Sequence, residues 1–293
     1  MLDFRDIDIS DRNHINRCLA VSDFMGCEYT FANNMAWRRL ADSKIAFYKD
    51  FYIVCSHTEQ NTPYFVMPSG SGDYTELFGE LKQYTDSVGV PLTVTGVTEK
   101  SLSLFSELFP DSYTIGYDRD SSDYIYLARD LIHLDGKKYH SKRNHLKHFS
   151  RYDYEFSVIT EKDFDDCIYF CTMDYNGRPH NHSSVAEQYA VNTYFTYFQE
   201  MGLTGGVIRI DGKVTAVTIG ERLNSDTFCV HIEKADKSFD GIYPAINNMF
   251  VTSVCSGYRY VNREEDLGIE GLRRSKLSYY PAFLLDKYVI KFK

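Results

Sequence analysis

Apolar positions along the chain switch between a period of two and a period near 3.6, which predicts an alternation of strands and helices. In the first half, strands are predicted over 44–57, 62–67, 91–97, 113–117 and 122–127, and helices over 74–88 and 102–108. In the second half, strands are predicted over 154–160, 205–210, 214–221, 227–234 and 281–293, and helices over 161–175, 184–201 and 241–255. This order predicts an α/β protein, or an α+β protein with mixed sheets.

The strands after residue 204 have the pattern of an antiparallel meander. Asp211-Gly212 is a strong hairpin turn signal between the first two of them. His231 and Glu233 lie in the third, where a period of two places both side chains on one face. Either side chain is suited to act as a general base at the end of a central strand. A polar pair that lines a solvated sheet face is the alternative.

The two halves share a coarse order of elements, and a basic run lies between them. We predict an N-terminal domain over 1–135 and a C-terminal domain over 136–293 that begins with a basic helix. The run, 136–151, reads GKKYHSKRNHLKHFSR and has six Lys and Arg residues but no acid. Like charges one turn apart weaken a helix. The run is therefore either a solvated helix between domains or a surface for a phosphate-rich ligand or an RNA backbone.

The densest group of charges lies in a predicted strand, loop and helix over 260–281, YVNREEDLGIEGLRRSKLSYYP. Four acids and four bases fall within fourteen residues of this stretch. Charged groups are costly to bury unless they are paired, so a purely structural junction needs no such density. The stretch is either a solvated connection with local ion pairs or a site where a strand ends and polar groups converge.

Composition narrows the class of protein. A net charge of −9 and a pI of about 5.5 exclude a generic nucleic-acid binder but leave room for a local basic patch. Seven scattered cysteines without a CxxC pair predict reduced, mostly buried thiols. His180 and His182 could hold a metal together with Asp174, but their spacing favours a polar loop, and no metal is expected.

The sequence carries no signal for export, for a membrane span or for a common nucleotide site. The opening MLDFRDIDISDRN is acidic where a signal peptide is basic, and no run approaches about 18 apolar residues. We therefore expect a soluble, cytoplasmic protein. The loop before Gly241 has neither GxGxxG nor a P-loop motif, although helix-terminus amides could hold an anion there.

The stretch 260–281 resembles the signature of the domain family that includes the C-terminal catalytic domain of phosphatidylglycerol lysyltransferases. The run KRNHLKHF is similar to the basic helix of the same family, and the element order between the two matches agrees. The resemblance implies a tandem GNAT-like acyltransferase fold with two related halves. It also implies acyl or aminoacyl transfer, with an aminoacyl-tRNA as donor and an amine or a hydroxyl as acceptor.

The resemblance further implies which residues form the site. Asp266 or Glu264 would accept the proton of the nucleophile, although many such folds depend more on positioning than on a dedicated base. Other side chains would contact a phosphate of donor or acceptor, the reacting ester or another anionic group. These substrate-binding residues are Arg143, Asn144, Lys147, Asn262, Arg263, Arg273, Lys276 and Tyr279.

Two departures from the family pattern bear on the substrates. The chain lacks the membrane-spanning half of the lipid-modifying members, which disfavours a membrane lipid as acceptor. The loop before Gly241 lacks the glycine-rich pyrophosphate turn of acetyl-coenzyme A enzymes, which disfavours acyl-coenzyme A as co-substrate. We expect tRNA and an anionic small-molecule or peptide substrate as partners. The alternatives are a non-catalytic module that binds RNA or an anionic metabolite, and an acetyl-coenzyme A-dependent N-acetyltransferase with a pantetheine slot between two splayed strands.

Overall fold

The computed structural model describes residues 2–173 and 182–293, which belong to two compact units. The first unit contains 1–123, 265–268 and 285–293, and the second contains 124–264 and 269–284. The predicted boundary at 135/136 lies inside the second unit, because the strand and the helix that precede the basic run belong to the second sheet and its core.

The bounds of the regular elements follow. The strands are β1 (Lys44–Tyr48), β2 (Phe51–His57), β3 (Pro63–Val66), β4 (Ser69–Gly70), β5 (Thr93–Val97), β6 (Tyr113–Tyr117), β7 (Asp123–Leu127), β8 (Tyr154–Val158), β9 (Thr204–Ile210), β10 (Lys213–Arg222), β11 (Thr227–Ala235), β12 (Tyr260–Asn262), β13 (Phe283–Leu285) and β14 (Tyr288–Phe292). The helices are α1 (Arg12–Ser22), α2 (Phe31–Trp37), α3 (Tyr74–Ser87), α4 (Glu99–Leu108), α5 (Ala128–His133), α6 (His140–Phe149), α7 (Phe164–Met173), α8 (His182–Thr196), α9 (Ile242–Val254) and α10 (Glu270–Leu277).

The first unit is built on a mixed sheet with strand order β1-β2-β3-β5-β14-β6, in which β4 pairs with β2. The strand predicted over 44–57 is a hairpin of two strands, because the chain reverses at Lys49, whose φ of 51° is the left-handed turn conformation. Aromatic rings from α3, α4, the turn after α4, β6 and the C-terminal β14 pack together in this unit. They are Phe78, Phe105, Phe109, Tyr113 and Phe292.

The second unit is built on a mixed sheet with strand order β13-β7-β12-β11-β10-β9-β8. The hairpin predicted at Asp211-Gly212 is confirmed, because β9 and β10 are antiparallel and both turn residues have positive φ. On β11, Lys234 donates a hydrogen bond to Cys171 of α7. The next residue, Ala235, packs against the core beneath α9. Since successive side chains of a strand point to opposite faces, α7 and α9 cover opposite faces of the sheet.

These two sheets confirm the predicted mixed α/β class. All seven cysteines lie in the described part of the chain as buried thiols, as predicted. Within the described ranges, no helix combines the length and the apolar character that crossing a membrane requires.

Candidate functional site

Two parallel strands at the centre of the second sheet diverge. β11 and β12 are paired over three residues and lose their register after Cys229 and Asn262. β11 continues along β10 as far as Ala235. The chain after β12 instead follows β7, because the backbones of Arg263 and Glu264 bond to that of Tyr124 at 3.1 Å each. We call the space between the diverging strands the β11–β12 opening.

A β-bulge changes which way the side chains of β11 point at this opening. Opposite Ile219 and Gly220 of β10, the partner residue on β11 jumps from Ile232 to Val230. His231 is therefore an extra residue whose backbone has no register partner on β10, and it breaks the period of two.

His231 and Glu233 consequently serve opposite faces of the sheet. The His231 ring stacks on Tyr194 of α8, with 5.5 Å between ring centroids. Glu233 Oε2 accepts a hydrogen bond of 2.9 Å from Asn247 of α9. The prediction that the two side chains share one face is wrong, because one bulge residue inverts the alternation. The β11–β12 opening is therefore charged on both faces.

On the face towards α8, His231 joins two carboxylates. Its side chain is 0% exposed, with Nδ1 2.8 Å from Glu264 Oε1 and Nε2 3.1 Å from Glu221 Oε1. A ring whose two nitrogens both face carboxylate oxygens is held as the imidazolium. Burial lowers the pKa of His231, but its contacts with Tyr194, Cys229 and Glu221 outweigh burial and raise that pKa well above its ordinary value.

The turn after β12 presents Glu264 at the opening. Glu264 has a φ of 56°, and its backbone N–H donates to Asn262 Oδ1 at 2.7 Å. The buried ammonium of Lys276 donates to the backbone carbonyls of Arg263 and Glu264. Asn262 and Lys276, two of the predicted site residues, thus bond to the backbone of this turn and fix its shape.

On the face towards α9, Arg263 is the central charge. Its side chain is 10% exposed, and Nη2 donates to Glu233 Oε1 at 2.7 Å. The guanidinium carbon lies 4.7 Å from the ring centre of Tyr279 and 5.6 Å from that of Tyr126. Nη1 is screened from solvent and has no hydrogen-bond partner among the described residues. A buried donor that no described residue satisfies is available to a ligand.

Lys142 brings a second positive charge to the same ring. Its ammonium extends from α6 to 3.6 Å from the ring centre of Tyr279 and 2.7 Å from Ser278 Oγ. Burial first, and then the charge of Arg263, lower the pKa of Lys142 to about 8. Sequence reasoning missed this residue as a site residue, and its place within the basic run was the only signal that pointed to it.

The other predicted residues lie in different surroundings. Arg143, Asn144 and Lys147 are exposed on α6, and the Arg143 guanidinium donates to the carbonyls of Leu134 and Gly136. By its bond to Leu134, Arg143 also caps the end of α5. Arg273 is partly exposed on α10.

Asp266 belongs to the first unit. Its side chain is 0% exposed and lies 3.2 Å from Arg119 Nη1, and Oδ1 accepts from the N–H of Gly268 at 3.0 Å. These contacts tie a loop together and leave the carboxylate no exposure to solvent. Glu264 is the more accessible of the two predicted proton acceptors.

Among the described residues, two groups of side chains have the donor atoms that a metal would need. In the second unit, ligand atoms of Cys229, His231 and Glu264 lie within 4.8 Å of one another. A similar group in the first unit consists of Cys27, Asp123 and Glu265, but Lys287 Nζ lies 2.8 Å from Asp123 Oδ1 and supplies a cation there. The predicted loop ligands Asp174 and His180, and the side chain of His182, lie outside the described residues.

Described residues line at least two of the cavities on the second unit. The larger, of 890 Å³, lies between α7, the β9–β10 turn and the end of β11, and Lys213, Lys234 and Lys237 are among its lining residues. The smaller, of 250 Å³, lies at the N-terminus of α9 and is lined by Lys142 and Lys237, among others. Its position agrees with the helix-terminus anion site that the sequence allows.

Comparison with known proteins places this geometry in context. Residues 19–291 match the family model described as phosphatidylglycerol lysyltransferase, C-terminal. A crystal structure of a conserved protein of unknown function from Bacteroides thetaiotaomicron is 36% identical, with a TM-score of 0.93 over 100% of both chains. The structure of L-PGS from Bacillus licheniformis is 15% identical, with a TM-score of 0.64 over 88% of this chain and 87% of that one.

Two further proteins are less similar, one in its fold and one over part of its sequence. A tandem GNAT protein from the clavulanic acid biosynthesis pathway is 9% identical, with a TM-score of 0.52 over 99% of this chain and 98% of that one. The chain therefore has the tandem GNAT-like fold that the resemblance implied. An uncharacterised protein of Mycoplasmoides gallisepticum is 22% identical over 174 residues, which is 58% of this chain and 56% of that protein. The match thus spans little more than half the length of this curated relative.

Proposed function

Because the chain belongs to the family of the phosphatidylglycerol lysyltransferase C-terminal domain, we propose that it transfers an aminoacyl group from an aminoacyl-tRNA to an amine or a hydroxyl. Family and fold together support a transferase of acyl or aminoacyl groups. Our proposal adds aminoacyl-tRNA as the donor and the β11–β12 opening as the place of the reaction.

The observation that carries the proposal is the β11–β12 opening with its charged side chains. Glu264 is partly exposed and is held from behind by the His231 imidazolium at 2.8 Å. In the proposed reaction, the acceptor nitrogen or oxygen attacks the ester carbonyl carbon and Glu264 takes its proton. The bond to the ribose oxygen of the tRNA breaks, and that oxygen leaves as a hydroxyl with the proton that Glu264 took from the nucleophile. Arg263 lies beside the reacting ester, and Tyr279 positions Arg263.

The ion pairs at the opening favour this donor over acyl-coenzyme A. A pantetheine arm would need a slot between the two splayed strands. The pair of His231 with Glu264 and the pair of Arg263 with Glu233 each join β11 to the turn after β12, at 2.8 and 2.7 Å. A pantetheine arm threaded between the strands would have to break both pairs, which are largely buried, and breaking such pairs is costly. An ester that meets the exposed part of the Glu264 side chain leaves both pairs in place.

The exposed basic side chains of α6 are the part of the site that we assign to the tRNA. Asn144 and Lys147 face solvent, where a phosphate backbone can reach them. Arg273 on α10 is assigned to the same donor. This surface also favours the alternative of a module that binds RNA without catalysis.

One experiment separates these functions. The purified protein is titrated with charged tRNA, uncharged tRNA and acyl-coenzyme A. The radiolabelled aminoacyl-tRNA is then incubated with the protein and a panel of amino acids, dipeptides, amino alcohols and lipids. We expect charged tRNA to bind and its label to move to an acceptor. Salt-sensitive RNA binding without transfer would support the binding module, and transfer from acyl-coenzyme A alone would contradict the proposed donor.

A further inference from the structure

We propose that the acceptor carries a terminal carboxylate, which binds between Arg263 Nη1 and the Lys142 ammonium against the ring of Tyr279. This inference rests on the proposed function, because it assigns the chemical class of the acceptor to the same opening. The group that it names is the C-terminal carboxylate of a free amino acid or a short peptide.

The first argument is the unpartnered donor on Arg263. A guanidinium has five N–H donors, and buried donors of this kind are almost always paired. Nη2 is paired with Glu233, whereas Nη1 has no acceptor among the described residues, although the side chain is 10% exposed. A carboxylate oxygen is the acceptor that matches the planar geometry of a guanidinium.

The second argument is the balance of charge on this face of the sheet. Arg263 and Lys142 both lie against Tyr279, and Glu233 is the carboxylate that bonds to Arg263. Glu233 is fully engaged, because Oε1 accepts from Arg263 and Oε2 accepts from Asn247. With both cations charged, one positive charge is left over, and one carboxylate neutralises it. A phosphate monoester carries a charge between −1.5 and −2 near neutral pH and would exceed it.

The third argument is the burial of Arg263 Nη1. A phosphodiester also carries a single negative charge, but it has a substituent on each side. Arg263 Nη1 is screened from solvent, and Lys142 is the half-exposed member of the site. A ligand that reaches this buried donor has to present its charge at its end. This requirement favours a terminal carboxylate over a phosphodiester.

The carboxylate belongs to the acceptor and not to the donor. An aminoacyl ester has already used its α-carboxyl group to form the ester bond. Arg263 directly precedes Glu264, so the two Cα atoms are about 3.8 Å apart. Their side chains serve opposite faces of the sheet, so an amino acid whose carboxylate binds Arg263 has to reach Glu264 with its amine across the opening.

The test is direct binding, so it does not depend on transfer. Calorimetry compares a panel of free amino acids and dipeptides with their C-terminal amides, and with inorganic phosphate and glycerophosphoglycerol as phosphate probes. We expect at least one free acid to bind about tenfold or more tightly than its amide and more tightly than either phosphate probe, because a charge-assisted hydrogen bond is lost in the amide. Equal binding of acid and amide, no binding of any acid, or tighter binding of a phosphate probe would overturn the proposal.

Variants on the basic run supply the matched comparison. Lys142→Ala should weaken the acid about tenfold and reduce its advantage over the amide, because one of the two cations is lost. Lys137→Ala removes the same charge from an exposed position of the run and should leave affinity within about twofold. Arg263→Lys keeps the charge but not the planar fork, and should also weaken the acid. Thermal melting checks that each variant is folded, and full affinity in Lys142→Ala would overturn the assignment.

The pH dependence gives a second readout. The pKa of Lys142 is lowered to about 8, so its charge and the affinity for a carboxylate should fall as pH rises from 7 to 9. Lys142→Ala should remove this fall. The charged, titratable or polar groups that face Lys142 or line the adjoining cavity are Arg263, Glu233, Tyr279, Ser278, His145, Lys237, Asp240 and Tyr243. If transfer from tRNA fails while acids still bind in this way, the proposed function is wrong and the carboxylate site stands.

Discussion

At the scale of single residues, His231 shows how a side chain's neighbours determine its charge. Burial alone would favour a neutral ring, because a charged group loses its hydration. Carboxylates face both ring nitrogens, and the pKa of His231 is raised well above its ordinary value. The imidazolium therefore contributes stability, and it also fixes the orientation of Glu264 at the opening.

The first prediction concerns pH and stability. A histidine whose folded pKa is raised contributes fully below its unfolded pKa of about 6.5 and loses that contribution as pH rises through the folded value. The unfolding free energy should fall above pH 6.5 by up to about 1.4 kcal/mol per pH unit from this residue. Urea denaturation of His231→Gln should show a flatter profile than the wild type, whereas the exposed His140→Gln should not. Identical profiles for wild type and His231→Gln would contradict the raised pKa.

The second prediction concerns Gly241, which precedes α9. A Cβ there would lie 2.2 Å from the backbone oxygen of His145, and φ is 83°. Gly241→Ala should lower the unfolding free energy by about 3 kcal/mol, since overpacking adds to the strain of a left-handed residue. At Gly212, φ is 73° but a Cβ would lie in open space. Gly212→Ala should therefore lower the unfolding free energy by only about 1 kcal/mol. Denaturant titration measures both, and an equal loss in the two variants would mean that the close approach to α6 carries no energy.

At the scale of elements, the basic side chains of helix α6 lie in different surroundings: some contact the rest of the second unit and others face solvent. Lys142 points towards Tyr279 and Arg263, whereas Lys147 faces solvent. Arg143, which the family resemblance assigned to a phosphate, donates to the carbonyls of Leu134 and Gly136. The helix is therefore both a structural link to α5 and a charged surface.

The third prediction separates these two functions. Arg143→Ala should lower the unfolding free energy by about 1 kcal/mol, because it leaves the carbonyls of Leu134, the C-cap of α5, and of Gly136 without this donor. Lys147→Ala should leave stability unchanged, weaken RNA binding and reduce the slope of log K against log salt by about 1. Denaturation and filter binding at several salt concentrations measure the two effects. The assignment fails if Lys147→Ala binds RNA as the wild type does at every salt concentration.

The elements differ in how well the sequence predicts them. The β9–β10 hairpin follows from Asp211-Gly212, because both turn residues tolerate positive φ. The helix α9 follows from apolar spacing. The bulge at His231 leaves no such signal, since it depends on how β10 and β11 pair in the sheet. For this reason the sequence identifies His231 and Glu233 as candidate bases but does not show that they lie on opposite faces of the sheet.

At the scale of the whole molecule, sequence patterns miss the contacts between distant segments. The C-terminal strand β14 pairs with β5 and β6 of the first unit. Lys287, just before it, bonds to Glu28 and Asp123 at 3.0 and 2.8 Å within that unit. No local sequence pattern connects these three positions. The prediction of a boundary at 135/136 therefore could not show that residues 285–293 return to the first unit. The predicted pairing of two related halves depends on the family resemblance, and the fold comparison confirms it.

The central claim is that aminoacyl transfer takes place at the β11–β12 opening, with Glu264 as the proton acceptor. The most direct measurement is the single-turnover rate of transfer from aminoacyl-tRNA for Glu264→Gln and for Glu270→Gln, which changes a side chain that is 91% exposed on α10. Removal of a general base should slow transfer about 10²-fold or more in Glu264→Gln, and Glu270→Gln should stay within about twofold of the wild type. Transfer by a folded Glu264→Gln at the wild-type rate would contradict the account.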